Sequence, residues 1–335
     1  PARITVNGYS EQWVRKGFPW VYPKEIESGG AAPGAHVSVV TKSGAVLGRG
    51  IFDNGWIAVR IMRHDDGVLD QVWLDTVLDA ALAHRVSLLD EETTGYRLVN
   101  AENDGFPGIR IDRWGHFVVV VLDSPSLGAM VEGIVDWLNR NVSPRGIFLA
   151  YRLDPRDKRT TQKMHPAPGL VSGRSPTTDV TILERGLKLL TRPSEGPDVG
   201  VYADMRDIRG WLEPHWGGRR VLNTFCYTGA FSVAAAFHGA SHVTSVDLSK
   251  RYLDRAEDNF RVNDLDPAQH DFIANDTFKA LDRFRRQGDE FDLVLVDPPS
   301  SSHATEGHWS GSNGWARLVA ASAKVVAPGG WLVTA

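Results

Sequence analysis

The chain has 335 residues, 42% hydrophobic and 23% charged, which is an ordinary globular composition and too much chain for a single core. Its formal net charge of −4 excludes a global positive field, so any nucleic acid would have to bind at local basic patches. A single cysteine excludes an intramolecular disulfide framework and a cysteine-based zinc site, and we expect no metal centre. The longest apolar runs are far too short to cross a bilayer, and there is no signal-peptide pattern, so we expect a cytoplasmic protein with no membrane partner.

Residues 1–67 predict a small β-rich domain, because short apolar stretches alternate there with glycine-containing turns. His36–Val40 and Ile57–Ile61 are predicted strands. The pair Asn54-Gly55 is typical of a hairpin turn. We expect this domain to form a compact barrel.

Residues 68–180 predict an α+β middle domain, because helical and strand periodicities alternate. The predicted elements are a helix over Leu69–Leu89, a strand over Phe117–Leu122, a short helix over Val131–Leu138 and a strand over Gly146–Ala150. The domain ends in a polar stretch from Asp154 to Thr178, rich in Pro, Gly, Lys and Arg, which predicts a basic linker.

Residues 181–335 predict a third domain in which strands alternate with helices. The predicted strands are Arg220–Phe225, His242–Asp247, Asp271–Ala274, Phe291–Asp297 and Gly330–Ala335, and the last is preceded by a predicted helix over Trp315–Val326. Alternation of this length is typical of a doubly wound parallel sheet, which defines an α/β fold.

Ligands of such sheets bind at the carboxyl ends of the strands, so the residues that follow each strand are the candidates for a site. They are, in strand order, Cys226-Tyr227-Thr228-Gly229, then Asp247, then Asn275-Asp276-Thr277, then Asp297-Pro298-Pro299. The glycine allows a tight turn close to a ligand, and an acidic residue after the second strand suits ribose hydroxyls. A lone aspartate is often only a helix cap, as Asp276 could be, but four such features in order favour a nucleotide-like ligand.

The turn that ends at Gly229 distinguishes two nucleotide-like cofactors. It lacks the G-x-G-x-x-G fingerprint with which nicotinamide dehydrogenases hold a pyrophosphate. S-adenosyl-L-methionine has no phosphates and needs no such cradle. The sequence therefore predicts S-adenosyl-L-methionine rather than NAD as the cofactor.

Longer segments resemble the class I methyltransferases that modify 23S ribosomal RNA and carry an N-terminal PUA domain. The segments that carry the resemblance are 17–22, 102–112, 200–206, 221–231, 245–249 and 296–299. Together they extend over nearly the whole chain. The resemblance implies a PUA-like barrel over 1–67, an α+β middle domain over 68–180 and a Rossmann-like methyltransferase sheet over 181–335.

The resemblance also implies roles for individual residues. Asp204 and Arg206 would lie at the methionine end of the cofactor, Asp247 would hold the ribose, and Asp297 would stand between the methyl donor and the target base. Asn275 and Asp276 would face the adenine. The implied cofactor-binding set is Tyr202, Asp204, Arg206, Asn223, Phe225, Tyr227, Thr228, Gly229, Asp247, Leu248, Asn275, Asp276, Thr277 and Asp297, with Asp297 and Pro298 as the catalytic residues.

The target atom is less well defined by the sequence. Family members that methylate cytosine C5 attack the base with a cysteine beyond the fifth strand, whereas Cys226, the only thiol here, lies in the cofactor turn and suits a structural role. The family's D-P-P-K-F is replaced by Asp297-Pro-Pro-Ser-Ser. Cytosine C5 is the expected target, and a guanine ring nitrogen is the alternative. Because the fifth strand would otherwise be an exposed apolar edge, we expect the natural protein to continue beyond Ala335.

Ribosomal RNA is the expected partner, and a homodimer is a further expectation. The basic candidates for RNA binding are Arg15, Lys16 and the segment 152–163, and Trp13, Phe18 and Trp20 offer stacking surfaces. Solvated surface charge and core aromatics are an equally good interpretation of each. Two alternatives to an RNA methyltransferase remain open: a methyltransferase for a protein or small molecule, and a non-catalytic RNA-binding protein that keeps the fold.

Overall fold

The computed structural model describes residues 1–153, 164–299, 301–304 and 307–334. Most of the predicted basic patch 152–163 lies outside these ranges. The chain divides into two compact units, one formed by Pro1–Val180 with Arg192–Val199 and the other by Thr181–Thr191 with Gly200–Ala335. The predicted domain boundaries at 67/68 and 180/181 stay a prediction.

The first part of unit 1 is a six-stranded sheet. Its elements are β1 (Ala2–Val6), α1 (Gly8–Val14), β2 (Trp20–Val21), β3 (Ile26–Ser28), β4 (His36–Val40), β5 (Val46–Phe52) and β6 (Val59–Arg63). The strand order is β2-β6-β5-β4-β1-β3, in which β1 and β4 are parallel and the other four pairs of neighbouring strands are antiparallel. Ile4, Val37 and Val59 are fully buried in its core.

The predicted hairpin at Asn54-Gly55 joins β5 to β6, but the connection is longer than a two-residue turn. The strand β6 begins at Val59, two residues later than predicted. The loop closes where the backbone N–H of Asp53 donates to the carbonyl of Ala58 at 2.8 Å. The Asp53 carboxylate also accepts the N–H of Gly55 at 3.2 Å, so this buried side chain stabilises the longer connection.

The second part of unit 1 is a five-stranded sheet covered by two helices. Its elements are α2 (Gln71–Leu88), β7 (Gly95–Asn100), β8 (Ile109–Trp114), β9 (Phe117–Leu122), α3 (Val131–Asn141), β10 (Gly146–Tyr151) and β11 (Gly169–Gly173). The strand order is β11-β10-β9-β8-β7. Trp73 and Leu78 from α2 and Trp137 from α3 pack on the sheet in one core.

The strand β11 corrects the prediction of a linker over 154–178. Within the described part of that stretch, Gly169–Gly173 forms a strand that pairs antiparallel with β10. Its residues are exposed or half-buried and carry no strong apolar run. The pairing with the edge of β10 makes it a strand, and a single segment read alone does not reveal such a pairing.

Unit 2 opens with a two-stranded hairpin and continues as an alternating α/β domain. The elements are β12 (Val180–Glu184), β13 (Leu187–Thr191), α4 (Arg206–Leu212), β14 (Arg220–Thr224), α5 (Ala230–Phe237), β15 (His242–Asp247), α6 (Lys250–Arg261), β16 (Asp271–Ala274), α7 (Thr277–Gln287), β17 (Phe291–Val296), β18 (Ser301–Ala304), β19 (Gly307–Ser310), α8 (Gly311–Ser322) and β20 (Val326–Thr334). The helix α8 begins four residues before the predicted Trp315, and β20 begins four residues before the predicted Gly330.

The main sheet of unit 2 has the strand order β16-β15-β14-β17-β20, and all four pairs of neighbouring strands are parallel. The chain moves outward from β14 to β16 and then returns to β17 on the other side of β14. The carboxyl ends of β14 and β17 therefore flank the switch point where ligands of doubly wound sheets bind. None of the helices in the described ranges has the length and apolar character that crossing a bilayer requires.

Candidate functional site

The turn after β14 has a sharply twisted backbone. Phe225 and Tyr227 have φ angles of +55° and +52°, which side chains rarely adopt, and Gly229 has +77°. The turn is held by the N–H of Cys226, which donates to the carbonyl of Val246 in β15 at 3.0 Å. Strain of this kind persists only where the surroundings impose it, and it is common at ligand sites.

Asp247, the last residue of β15, lies beside this turn. Its carboxylate accepts the backbone N–H of Tyr227 at 2.9 Å and that of Ser249 at 2.8 Å. Burial raises the pKa of Asp247, and hydrogen bonds from the N–H groups of Ser249, Tyr227 and Leu248 act in the opposite direction. The hydrogen bonds from Tyr227 and Ser249 fix the carboxylate at the carboxyl end of the sheet.

Asp297 directly follows β17 and is half-buried. Burial raises its pKa, the carboxylate of Asp204 adds to that rise, and the guanidinium of Arg209 opposes it. Asp204 and Asp297 therefore lie close enough to interact, although they are far apart in the sequence.

The segment 202–206 contributes an aromatic ring and a cation. The ring centroid of Tyr202 lies 5.4 Å from that of Tyr227, which lies 4.6 Å from that of Tyr252 in α6. The Arg206 side chain is 14% exposed, and its Nη1 donates to exposed Asp207 at 3.1 Å. The Nε of Arg206 is buried and has no hydrogen-bond partner among the described residues. A guanidinium that is 14% exposed and whose Nε–H has no acceptor among the described residues suits an anionic ligand group.

Two of the predicted residues lie beneath the turn and support it. The Asn223 side chain is buried and donates to the Ser232 hydroxyl in α5 at 2.9 Å. Thr228 donates its hydroxyl to the carbonyl of Gly200, and the Thr228 carbonyl accepts the side-chain amide of Asn259 at 2.8 Å. These contacts tie the turn to α5, to α6 and to the segment that precedes Tyr202.

The residues after β16 have local hydrogen bonds in addition to any ligand role. The Asp276 carboxylate accepts the N–H of Lys279 at 3.1 Å and caps α7. The Asn275 side chain accepts the N–H of Asp276 at 2.9 Å, and Thr277 is buried. Leu248, after β15, is exposed at the same edge of the sheet. Phe225 packs against the core of the main sheet.

Sequence reasoning missed Glu184 and Arg209, and it gave no contact with the cofactor turn to Tyr252 and Asn259, which belong to a stretch that resembles relatives that methylate a guanine ring nitrogen. Glu184 and Arg209 form a buried ion pair behind segment 202–206. Tyr252 and Asn259 lie on α6, an amphipathic helix whose periodicity indicates a buried face without saying what that face contacts. No motif marks Glu184 and Arg209, because their contacts join elements distant in sequence.

Cys226 is buried, and burial raises the pKa of its thiol well above the usual range. A thiol held protonated is a poor nucleophile, so the structural role predicted for Cys226 fits this environment. In the described ranges, no group of three or more His, Cys, Asp or Glu side chains is placed to hold a metal ion.

A row of aromatic rings in unit 1, here called the aromatic strip, is a second candidate surface. Its members are Tyr9, Trp13, Phe18, Trp20, Tyr22 and Trp56, and successive centroids are 5.6–6.5 Å apart. Tyr9, Trp13 and Trp56 are 61%, 42% and 59% exposed. The Lys16 ammonium lies 5.0 Å from the centroid of Trp13. Trp20 donates its Nε1–H to Glu102 at 3.0 Å and so belongs to the packed end of the strip.

Comparisons with known proteins agree with this geometry. Residues 160–335 match the S-adenosylmethionine-dependent methyltransferase family, and residues 4–64 match a PUA-like domain. The ribosomal RNA large subunit methyltransferase I of Aeromonas hydrophila is 33% identical, over 98% of this chain and 83% of its own length. The protein of the same name from Klebsiella pneumoniae is 31% identical, over 100% and 84%.

Two solved structures share the fold. A methyltransferase complexed with SAH has a TM-score of 0.88 at 23% identity, covering 99% of this chain and 85% of that one. A SAM-dependent methyltransferase from Streptococcus mutans has a TM-score of 0.85 at 24% identity with the same coverage. These likenesses confirm the predicted doubly wound fold.

The sheet and its site define an S-adenosylmethionine-dependent methyltransferase. The chain belongs to the family of these enzymes that includes the ribosomal RNA large subunit methyltransferases I, with a PUA-like domain near its N-terminus. The predicted family, fold class and cofactor are thereby confirmed. The non-catalytic alternative is set aside.

Proposed function

We propose that this enzyme transfers a methyl group from S-adenosyl-L-methionine to a base of 23S ribosomal RNA, with C5 of a cytosine as the target. The observation that carries the proposal is the placement of the Asp247 and Asp297 carboxylates at the carboxyl ends of β15 and β17, on either side of β14, with the turn after β14 held by Asp247. The name of the relatives, ribosomal RNA large subunit methyltransferase I, supports the substrate class. The PUA-like domain supports RNA rather than a protein or a small molecule.

The residues present fit the cofactor. The buried Nε of Arg206, which has no partner among the described residues, suits the methionine carboxylate, and the Asp204 carboxylate, two residues earlier in the chain, suits the methionine ammonium group. The Asp247 carboxylate is placed to accept ribose hydroxyls. The remaining members of the predicted set would complete the site: Tyr202, Asn223, Phe225, Tyr227, Thr228 and Gly229 along the turn, and Leu248, Asn275, Asp276 and Thr277 around the adenine.

Bound S-adenosyl-L-methionine supplies an electrophilic methyl group on its sulfonium. Asp297 accepts a hydrogen bond from the exocyclic amine of the target base and so orients the base for in-line transfer. Pro298 restricts the backbone just after this carboxylate and holds it in place. The base has to leave its stack to reach the site, as in other enzymes that act on a base inside a nucleic acid.

A cytosine C5 target also requires a nucleophile that adds to C6 of the ring. Cys226 does not supply it, because its thiol is buried and its pKa is raised. The family resemblance implies a cysteine on a loop after the fifth strand, here β20, for this step. Methylation of a guanine ring nitrogen needs no such nucleophile, so identification of the product separates the two targets.

We further infer that the aromatic strip takes part in RNA binding. Exposed Tyr9, Trp13 and Trp56 offer ring faces or edges on which unpaired bases can stack, and Lys16 places a positive charge beside them for a phosphate. Trp20, predicted as a stacking residue, contributes through packing. Exposed aromatic surfaces of this kind bind single-stranded RNA without strong sequence preference. We therefore expect the aromatic strip to add affinity for RNA and the catalytic domain to select the base.

The proposal is tested by incubating the protein with tritiated S-adenosyl-L-methionine and protein-free 23S rRNA, followed by nucleoside mass spectrometry. We expect 5-methylcytidine in 23S rRNA, with 16S rRNA and ribosomal proteins as the negative substrates. A methylated guanosine would show that the target is a guanine ring nitrogen and not cytosine C5, with 23S rRNA still the substrate. Labelling of protein alone would contradict the proposal. Mapping of rRNA modifications in a strain that lacks the gene would locate the nucleotide.

A substrate in ribosomes or their precursors supports the cytoplasm as the location of the proposed reaction. The expected homodimer stays a prediction and is tested by light scattering. A mass near the 36.9 kDa of the single chain would contradict it.

A further inference from the structure

A buried ion pair lies behind the candidate site, outside the residues assigned to the cofactor. Arg209 in α4 and Glu184 at the end of β12 have side chains that are 4% and 2% exposed. They are joined by two parallel hydrogen bonds, from Nε to Oε1 at 2.6 Å and from Nη2 to Oε2 at 2.7 Å. Such a pair adds little net stability over an apolar pair of similar volume, so its effect is to be sought in what it positions.

The same guanidinium contacts two parts of the site. Its Nη2 also donates to the backbone carbonyl of Tyr202 at 3.0 Å. Its Cζ lies 5.2 Å from the ring centroid of Phe231, two residues after Gly229 in the chain. One side chain therefore connects β12, the segment 202–206 and the helix that begins at the cofactor turn.

Arg209 also acts on Asp297 through its charge. The guanidinium lowers the pKa of Asp297, whereas burial and the Asp204 carboxylate raise it. Asp204, from the segment before α4, and Arg209, from α4 itself, act on the pKa of Asp297 in opposite directions. A positive charge at this place favours the ionised carboxylate, which is the form that accepts a hydrogen bond from a base.

We propose that Arg209 is a positioning residue for methyl transfer: held by Glu184, it fixes the segment 202–206 beside the cofactor turn. The inference rests on the proposed function, because it takes Asp204, Arg206 and Asp297 as the groups that meet the cofactor and the base. Tyr202 is two residues from Asp204, so a tether on its carbonyl limits where both predicted contacts can lie.

The test compares three variants of the full chain. E184Q/R209M replaces the ion pair by two neutral side chains, so no buried charge is left uncompensated. E184Q keeps the guanidinium and serves as the matched single variant, and R209K keeps the charge but loses the planar fork. Thermal melting establishes that each variant folds, and the double variant remains informative where a single one does not fold.

We expect E184Q/R209M to lower kcat about tenfold or more, because the groups around the methyl donor lose their fixed placement. The acid limb of its pH–kcat profile should move to higher pH, because Asp297 loses the opposing positive charge. E184Q and R209K should keep the wild-type acid limb. Backbone amides of 202–206 should exchange with solvent about tenfold faster in the double variant, and those of β14 should be unchanged.

A double variant with wild-type kcat, acid limb and amide exchange over 202–206 would overturn the inference. So would equal losses of kcat in all three variants with the acid limb unmoved, since that pattern belongs to a merely structural pair. Amide exchange over 202–206, measured with and without SAH, needs no methyl transfer. A wild-type protein that does not methylate rRNA would therefore contradict the proposed function. The amide exchange of 202–206 would still show whether Arg209 holds this segment in place.

Discussion

Gly229 lies so close to Ala256 that a Cβ atom on Gly229 would stand 2.7 Å from the Cβ of Ala256. Gly229 also has φ +77° at the start of α5. The turn beneath the proposed cofactor site is thus limited in two ways, by its backbone conformation and by the approach of α6. Each limit has its own energetic consequence.

Gly229→Ala should therefore cost more than the same change at a glycine of similar φ in open space. Gly288, at the C-terminal end of α7, has φ +73°, and a Cβ atom added there would have no neighbouring atom within 4 Å. Gly288→Ala should lower the free energy of unfolding by about 1–2 kcal/mol from the left-handed conformation alone. Gly229→Ala should cost about 1–3 kcal/mol more because of overpacking, and it should weaken SAH binding.

Urea denaturation and calorimetry with SAH measure both effects. The double variant Gly229→Ala with Ala256→Gly should recover the overpacking part only. Equal costs at the two glycines would show that Ala256 does not restrict the turn.

Asp297→Ala should abolish methyl transfer and spare cofactor binding, because the carboxylate is proposed to hold the base. We expect kcat to fall about a hundredfold or more, with the dissociation constant for SAH within about threefold of the wild-type value. Tritium transfer and calorimetry measure the two quantities. Glu290→Gln, an exposed change just before β17, is the control and should leave both unchanged. Retained activity in Asp297→Ala would refute the role.

Asp297→Asn should stabilise the protein at neutral pH. The folded-state pKa of Asp297 is raised by burial and by Asp204, so the folded protein holds this proton to higher pH than the unfolded chain. Stability is therefore lost as pH rises from the ordinary carboxyl pKa of about 3.9 to the raised folded value, and the loss persists at pH 7. We expect the Tm of the variant to exceed the wild-type Tm by about 1–3 °C at pH 7.

The gain from Asp297→Asn should shrink as the pH is lowered toward 4. Calorimetric melting of both proteins across this range measures it. A gain that is constant with pH would assign the effect to packing instead of to ionisation.

Asp53→Ala should destabilise unit 1 strongly. Asp53 and Arg60 have side chains that are 2% and 7% exposed and are joined at 2.7 Å, and the Ser126 hydroxyl donates to the same carboxylate at 2.9 Å. Removal of Asp53 leaves a buried guanidinium without its counter-charge, which costs about 3–5 kcal/mol. Urea denaturation measures the loss.

The control for Asp53→Ala is Asp254→Ala, which breaks the exposed pair with Lys250 in α6. That change should alter the free energy of unfolding by less than about 1 kcal/mol. Similar losses for the buried and the exposed pair would contradict the prediction.

Trp56→Ala should weaken RNA binding without affecting the cofactor. Trp56 is an exposed end of the aromatic strip, and loss of a stacking ring costs about 1–3 kcal/mol per base. Fluorescence anisotropy with a single-stranded RNA oligonucleotide at low salt measures the affinity. Val86→Ala removes an exposed apolar side chain elsewhere in unit 1 and is the control. An unchanged affinity in Trp56→Ala would remove the strip from the proposed RNA interface.

The parallel sheet was predictable almost residue by residue. The strands His242–Asp247 and Asp271–Ala274 have the predicted bounds, and β17 ends one residue before the predicted Asp297. Buried parallel strands are continuous apolar runs bounded by polar turns, and this pattern is local. The strand β11 carries no such pattern, because pairing with β10, which ends 18 residues earlier in the chain, stabilises it.

The sequence by itself determined the residues that end each strand of the main sheet, and with them the methyl donor, since the fingerprint for a phosphate cradle is absent and an acidic residue follows β15. Only the tertiary structure decided that Asp204 acts on the pKa of Asp297, that the buried Nε of Arg206 has no partner among the described residues, and that Arg209 binds Glu184 and the carbonyl of Tyr202. Such contacts depend on strand order and on the path of segment 202–206. The chain settles both by burying distant side chains together, which no local spacing encodes.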